Sequence, residues 1–198
     1  AKVIKSRDKI GKKGKLKTVA IPVEIDGTFS RDAQSTPGQN IVAYIEGTDP
    51  ELKNEVVVIT AHYDHVGAKG DVVWNGADDN ASGTSGVMEI AQAFHTAKQR
   101  GFGPRRSVLC MLVTGEEKGL LGSQYYAENP ILPLENTIAN INIDMIGRVD
   151  DKHASPEYTY VIGSDRLSTE LHEINESVNK QYTKLELDYT YNAEDDPN

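Results

Sequence analysis

Two apolar runs constrain the fold of this chain more than any other feature. Val56-Val57-Val58-Ile59 is wholly β-branched, and Ser107–Val113 is apolar from its second residue onward. A strand with one face in water alternates apolar with polar residues. A continuous apolar run is instead buried on both faces, as in a parallel sheet covered by helices. The stretch between the runs fits that reading. Ala81–Ala97 carries Val87, Ile90, Ala91 and Phe94 at helical spacing, which predicts an amphipathic helix.

The alternation continues on either side. Ile41–Ile45 reads as a strand, Leu120–Glu128 as a short helix stopped near Pro130, and Thr137–Ile143 as a strand. Tyr158–Ile162 and Leu185–Tyr189 read as two further strands. Asp165–Tyr182 reads as a long helix with Leu167, Leu171, Ile174 and Val178 on its buried face. The expected fold is α/β, a mostly parallel, mixed central sheet with helices on both faces. In such sheets binding sites form at the carboxyl ends of the strands.

Residues 1–38 are polar and irregular apart from a candidate strand at Val19–Ile25. They read as a connector, or as the tail of an upstream domain, leading into a catalytic domain over residues 39–198. The 198 residues suffice for one domain with a sizeable core. The net charge of −9 argues against a nucleic-acid partner, because such proteins present basic patches. The one basic run, Lys9 to Lys17, has no interleaved aromatics and reads as solvated chain. No apolar stretch approaches the roughly 18 residues of a membrane span. Cys110, the single cysteine, lies inside an apolar run and reads as a small buried hydrophobe.

Four clusters of metal-type ligands sit where the sheet rule would gather them. His62-Tyr63-Asp64 follows the first run, Gly115-Glu116-Glu117 the second, and Asp144 the strand ending at Ile143. Gly76-Ala77-Asp78-Asp79-Asn80-Ala81-Ser82-Gly83 precedes the long helix. Each has a bland reading alone: a hydrogen-bonded histidine, a solvated glutamate pair, a strand-end turn, a helix cap. A metal-bound histidine also donates its other N–H to a partner, and Asp64 is well placed for that. Neighbouring side chains in an extended segment diverge, so Glu116 and Glu117 are expected to serve different purposes. Together the clusters outweigh their bland readings, because carboxylates crowded at one sheet edge repel each other unless a cation intervenes. Mixed imidazole and carboxylate donors suit zinc, with cobalt and manganese as alternatives.

In this order and spacing, the four motifs resemble the di-zinc aminopeptidase family, metallopeptidase family twenty-eight. That family holds bacterial leucyl aminopeptidases, glutamate carboxypeptidase II and the glutaminyl cyclases. The resemblance runs from Asn40 to Tyr189. It implies a zinc-exopeptidase-like fold and a peptide substrate with a free N-terminus. It also implies two zinc ions in the full-length enzyme, and export from the cytoplasm by the habit of the family. Residue by residue, it implies that Asp79 bridges the metals, His62 and Asp144 complete one site, and Glu117 holds the other. Glu116 becomes the general base and Asp64 the residue that orients His62. Asn80 is expected to follow a cis peptide bond.

The family's last ligand, a histidine after a Ser-Asp-like motif, has no match here. Of the five histidines, His95 and His172 fall in helices, His153 in a loop, and His65 is too close to His62. The expectation is a catalytic domain incomplete at its C-terminus, with that ligand past Asn198, and one zinc or none in this stretch. Two other readings stand beside the aminopeptidase. One is a glutaminyl-peptide cyclotransferase with a single zinc. The other is a non-catalytic module on a peptidase scaffold, disfavoured by the filled ligand positions.

Overall fold

Residues 36–192 are described in the computed structural model; the lead-in segment through residue 35, with its candidate strand, lies outside them. In chain order the elements are β1 (Ile41–Ile45), β2 (Val56–His62), β3 (Gly67–Lys69), β4 (Val72–Trp74), α1 (Ala81–Gln99) and β5 (Ser107–Val113). There follow α2 (Leu121–Glu128), β6 (Thr137–Asn142), β7 (Tyr158–Tyr160), α3 (Thr169–Val178) and β8 (Glu186–Asp188).

Both continuous apolar runs are inner strands. The central sheet has the order β1-β5-β2-β6. β5, β2 and β6 run parallel, and β1 pairs antiparallel with β5. Successive side chains of β2 and β5 point to opposite faces and build two cores. On one face Ile59, Ala61, Val108 and Cys110 pack with Val87, Ile90, Ala91 and Phe94 of α1. On the other, Val56, Val58, Leu109, Met111 and Val113 pack with Tyr126 of α2 and with Leu132. Leu109 is fully buried; burying a leucine side chain stabilises by about 1.5–3 kcal/mol. Cys110 is buried as expected, and burial pushes its thiol above the ordinary value. Among the described residues no helix is long and apolar enough to cross a membrane.

The parallel register carries the functional consequence. β2 ends at His62 opposite Val113, the last residue of β5. The ladder from β2 to β6 continues through the Ile143 N–H, which donates to the Thr60 carbonyl at 2.8 Å. The segments after β2, β5 and β6 therefore leave the sheet at one edge, and the start of α1 joins them there.

Three expectations need correction. A hairpin, β3–β4, was not foreseen between His65 and Asp79. β7 and β8 pair with each other as a separate parallel ladder. The second long helix is shorter than read: it starts after Ser168, whose hydroxyl caps the Leu171 N–H, and passes at Asn179 into a wider turn closed by the Asn179 side chain. Leu167 falls before the helix and is fully exposed, and the apolar face is not buried, for Ile174 is 52% exposed and Val178 48%. His153, expected in a loop, is held firmly there. It stacks on Tyr158, and its two ring nitrogens lie 2.8 Å from Asp150 and 3.1 Å from Asp188.

Candidate metal centre

His62 closes β2 with a side chain only 3% exposed. Its backbone carbonyl accepts from Thr84 Oγ1 at 2.9 Å, which ties the first turn of α1 to the strand end. Its Nδ1 lies 3.0 Å from the backbone carbonyl of Asp64. That contact leaves Nε2 facing outward, 3.0 Å from Asp79 Oδ1 and 3.4 Å from Asp144 Oδ2.

The two adjacent aspartates before α1 have separate duties. Asp78 is buried, and its Oδ1 accepts from the Gly147 N–H at 2.7 Å and from Ser82 Oγ at 3.2 Å. Asp79, 38% exposed at its side chain, points both oxygens at imidazoles. Asn80 follows across a cis peptide bond, as the family resemblance implied. Its side chain caps the Gly83 N–H at 2.9 Å and donates to the Ile143 carbonyl at 3.0 Å. Its Oδ1 also accepts from the Met145 N–H at 3.3 Å. One amide thus joins the helix start to the loop that carries Asp144.

Glu116 and Glu117 do not lie in an extended segment. Gly115, at φ +67°, turns the chain directly after β5 into a single 3₁₀ turn over Glu116–Lys118. Their divergence comes from the threefold pitch of that turn rather than from strand pleating. The Asp64 carboxylate caps it, accepting from the Glu116 N–H at 3.0 Å and the Glu117 N–H at 3.3 Å. The expected contact from the Asp64 carboxylate to the His62 ring is not made. Its carboxylate stands 3.8 Å from Nδ1, beyond hydrogen-bond reach, and its carbonyl makes the contact instead.

Two groups of ligand atoms result, each gathered within 4.8 Å: His62, Asp79 and Asp144, and His65, Asp79 and Glu117. Four of these, His62, Asp79, Glu117 and Asp144, are the ligands expected from the sequence. His65 had been set aside. Its Nδ1 lies 2.8 Å from Glu117 Oε1 and 3.7 Å from Asp79 Oδ2. The two imidazoles lie nearest different oxygens of the Asp79 carboxylate. The repeat His-Tyr-Asp-His was the available signal.

The donor set fits a divalent cation. Each group offers one imidazole nitrogen and two carboxylate oxygens, a combination characteristic of zinc. His65 Nδ1 and Glu117 Oε1 are both shut off from solvent and neither makes a hydrogen bond, although they face each other. Unpaired buried polar atoms cost about 1–3 kcal/mol each. Burial also pushes the Asp144 carboxyl above its ordinary value; the His62 side chain opposes this, and the Asp79 charge adds to it. Burial likewise raises Glu116; His62 opposes, while Glu117, Asp144 and Asp64 push further up. A carboxylate raised in this way suits a proton-transfer group better than an ordinary one.

The sequence pattern of peptidase family M28 matches residues 40–197. A protein of Arthroderma benhamiae named "Probable glutamate carboxypeptidase" is 35% identical over 127 residues, which are 62% of this chain and 16% of that protein. A "Probable zinc metalloprotease" of Pyrenophora tritici-repentis is 33% identical over 66% of this chain and 26% of its own length. The chain thus spans about a quarter or less of these relatives. Among solved structures, LapB of Legionella pneumophila superposes with a TM-score of 0.58 at 25% identity, over 78% of this chain and 38% of LapB. A glutaminyl cyclase of Bacteroides thetaiotaomicron shares the fold, with a TM-score of 0.51 at 20% identity over 75% of this chain and 62% of the cyclase. Pattern, fold and donor chemistry agree: the chain belongs to peptidase family M28, a family of zinc metallopeptidases.

Proposed function

We propose that this protein is an aminopeptidase that removes N-terminal residues from peptides with the help of two zinc ions sharing Asp79. One observation carries the reading: the two oxygens of Asp79 face two different imidazole–carboxylate sets. In this reading His62, Asp79 and Asp144 hold one ion, and Asp79 with Glu117 belongs to the other. Paired ions, when bound, lower the pKa of water and polarise a carbonyl.

The rest of the chemistry falls to the chain's own side chains. Glu116 takes the proton of the attacking water and returns it to the leaving amine nitrogen. Asp64 holds the turn on which Glu116 stands and the tautomer of His62 in one stroke. The crowded carboxylates provide a negative rim that attracts the free α-amino group of a substrate. Export of the protein belongs to the same reading and rests on the habit of the family.

The test is Glu116→Gln assayed on an aminoacyl-nitroanilide. The expected result is a fall in kcat of about 10²–10⁴-fold, with zinc content unchanged. A near-normal rate removes Glu116 as the base. The relative named as a glutamate carboxypeptidase sets the second arm. Cleavage of an N-blocked peptide with a free C-terminal glutamate, and none of the nitroanilide, reverses the choice of terminus. Cyclisation of glutaminyl peptides at one zinc per chain makes the protein a cyclotransferase instead.

A further inference from the structure

We infer that His153 is a proton-linked latch, fastening the loop that runs on from Asp144 to strand β8 while its ring is charged and releasing β8 when the ring is neutral. The latch goes beyond the peptidase reading and stands whether that reading holds or fails.

The ring is held between two carboxylates. Nδ1 lies 2.8 Å from Asp150 Oδ1 and Nε2 lies 3.1 Å from Asp188 Oδ2, with the side chain only 8% exposed. A carboxylate accepts but does not donate, so each contact needs an N–H on the ring, and only the imidazolium carries two. A neutral ring keeps one. Asp150 is the local partner, three residues away, and its Oδ1 also accepts from the His153 backbone N–H at 3.2 Å. The remaining proton therefore stays on Nδ1, and the Nε2 lone pair is left against the charge of Asp188. Asp188 is the partner that lets go.

The surroundings favour the charged ring. Tyr158 stacks on it with centroids 3.5 Å apart and planes at 7°, presenting the negative face of its π-system. The Tyr160 hydroxyl donates to Asp150 Oδ2, and the Thr190 N–H donates to Asp188 Oδ1 at 2.7 Å. Tyr191, with Lys152 over its ring, packs behind Tyr160. The hydrogen bond to Asp150 holds the His153 pKa above its ordinary value; burial opposes this, and the charges of Asp150, Asp188 and Glu186 add to the rise. Asp150 and Asp188 are both held below the usual carboxylate range, Asp150 chiefly by Tyr160 and Asp188 chiefly by Thr190. A raised histidine contributes stability that is complete below its unfolded value and is lost as the pH climbs through the folded one. The latch thus stays shut in mild acid and opens on the alkaline side of the ordinary histidine range.

Strand β8 has little else to hold it. β7 and β8 form a ladder of three residue pairs, separate from the central sheet, and a lone two-stranded ladder is marginal. The loop is pinned at its other end, where the Ile146 N–H donates to Ser82 Oγ at 3.1 Å and the Gly147 N–H to Asp78 Oδ1 at 2.7 Å. With the latch open, the loop keeps its hold on the start of α1 and loses its hold on β8.

The experiment is NMR of the full chain from mild acid to mild alkali. It follows the His153 ring Cε1–H signal and the exchange of the Val161 amide, which donates to the Asp188 carbonyl at 2.9 Å. In wild type His153 should titrate above the ordinary histidine value. Across that titration the protection of Val161, corrected for intrinsic exchange, should fall about 10–100-fold, the range of a hydrogen bond to a charged group. Asp188→Asn keeps the shape without the charge, so it should lower the His153 midpoint and flatten the step. His153→Gln should flatten it as well. Exchange of Leu109, in the central sheet, should stay the same in all three, which separates release of β8 from loss of the fold. Where a variant fails that control, the wild-type titration decides alone. A His153 signal that titrates at or below the ordinary value, Val161 protection that stays level across the wild-type titration, or a step that survives in folded Asp188→Asn overturns the inference.

Discussion

The two ligand groups share one carboxylate but are built in different ways. His62 grows out of a buried strand, and the loop bearing Asp144 is tied through Asn80 to the first turn of α1. Within this group His62 is buried at the strand end, while Asp144 is 40% exposed. His65 and Glu117 stand on a hairpin approach and a single 3₁₀ turn, and their side chains are each 20% exposed against 3% for His62. The first group is fixed by the frame that folds the domain. The second is fixed by loop contacts, chiefly the Asp64 cap. Geometry held by packed strands is paid for during folding; geometry held by a cap can be lost without unfolding anything.

Substitutions should separate these cases in graded fashion. Asp79→Ala has the largest expected effect, because it strips an oxygen from both groups. Zinc affinity should fall by at least about a hundredfold at each, measured by calorimetry, with peptidase activity lost. Retention of one site at full affinity would mean that the carboxylate is not shared. Asp64→Ala comes next and tests the asymmetry directly. The Glu116–Lys118 turn loses its cap, whereas the carbonyl of residue 64 still faces His62 Nδ1. The site with Glu117 should weaken by about 10–100-fold and the site with His62 by much less. Equal losses would dissolve the distinction drawn here. Asn80→Ala is the mildest in binding and the clearest in stability. It removes a helix cap and orphans the Ile143 carbonyl, for an expected loss of about 2 kcal/mol in urea unfolding, with the His62 site the more affected of the two.

Legibility in the sequence followed the same division. β5 falls at Ser107–Val113 as read, because a buried strand writes itself as an unbroken apolar run. His62, Asp79, Glu117 and Asp144 could be gathered because each lies within a few residues of a strand or helix end, where the parallel sheet fixes direction. The hairpin β3–β4 escaped notice because its residues are exposed and its strands are three residues long. Gly70-Asp71 at its tip was the readable turn signal. With the hairpin unseen, His65 had no route to Glu117 and was judged by its distance along the chain. α3 shows the opposite failure. Its periodicity placed Leu167 on a buried helical face, but the helix starts only after Ser168, and periodicity says nothing of whether another element covers Ile174 and Val178.

The shared carboxylate of Asp79 has one more consequence. Any two cations it holds are thermodynamically linked: whatever factor the first contributes to the affinity of the second, the second returns to the first. An ion on Oδ1 fixes the torsion that aims Oδ2, while its charge repels the newcomer. The balance of those two terms decides whether the protein fills stepwise or all at once as metal becomes available. A single side chain, placed at the start of a helix, would then set the threshold at which this protein responds to its metal supply.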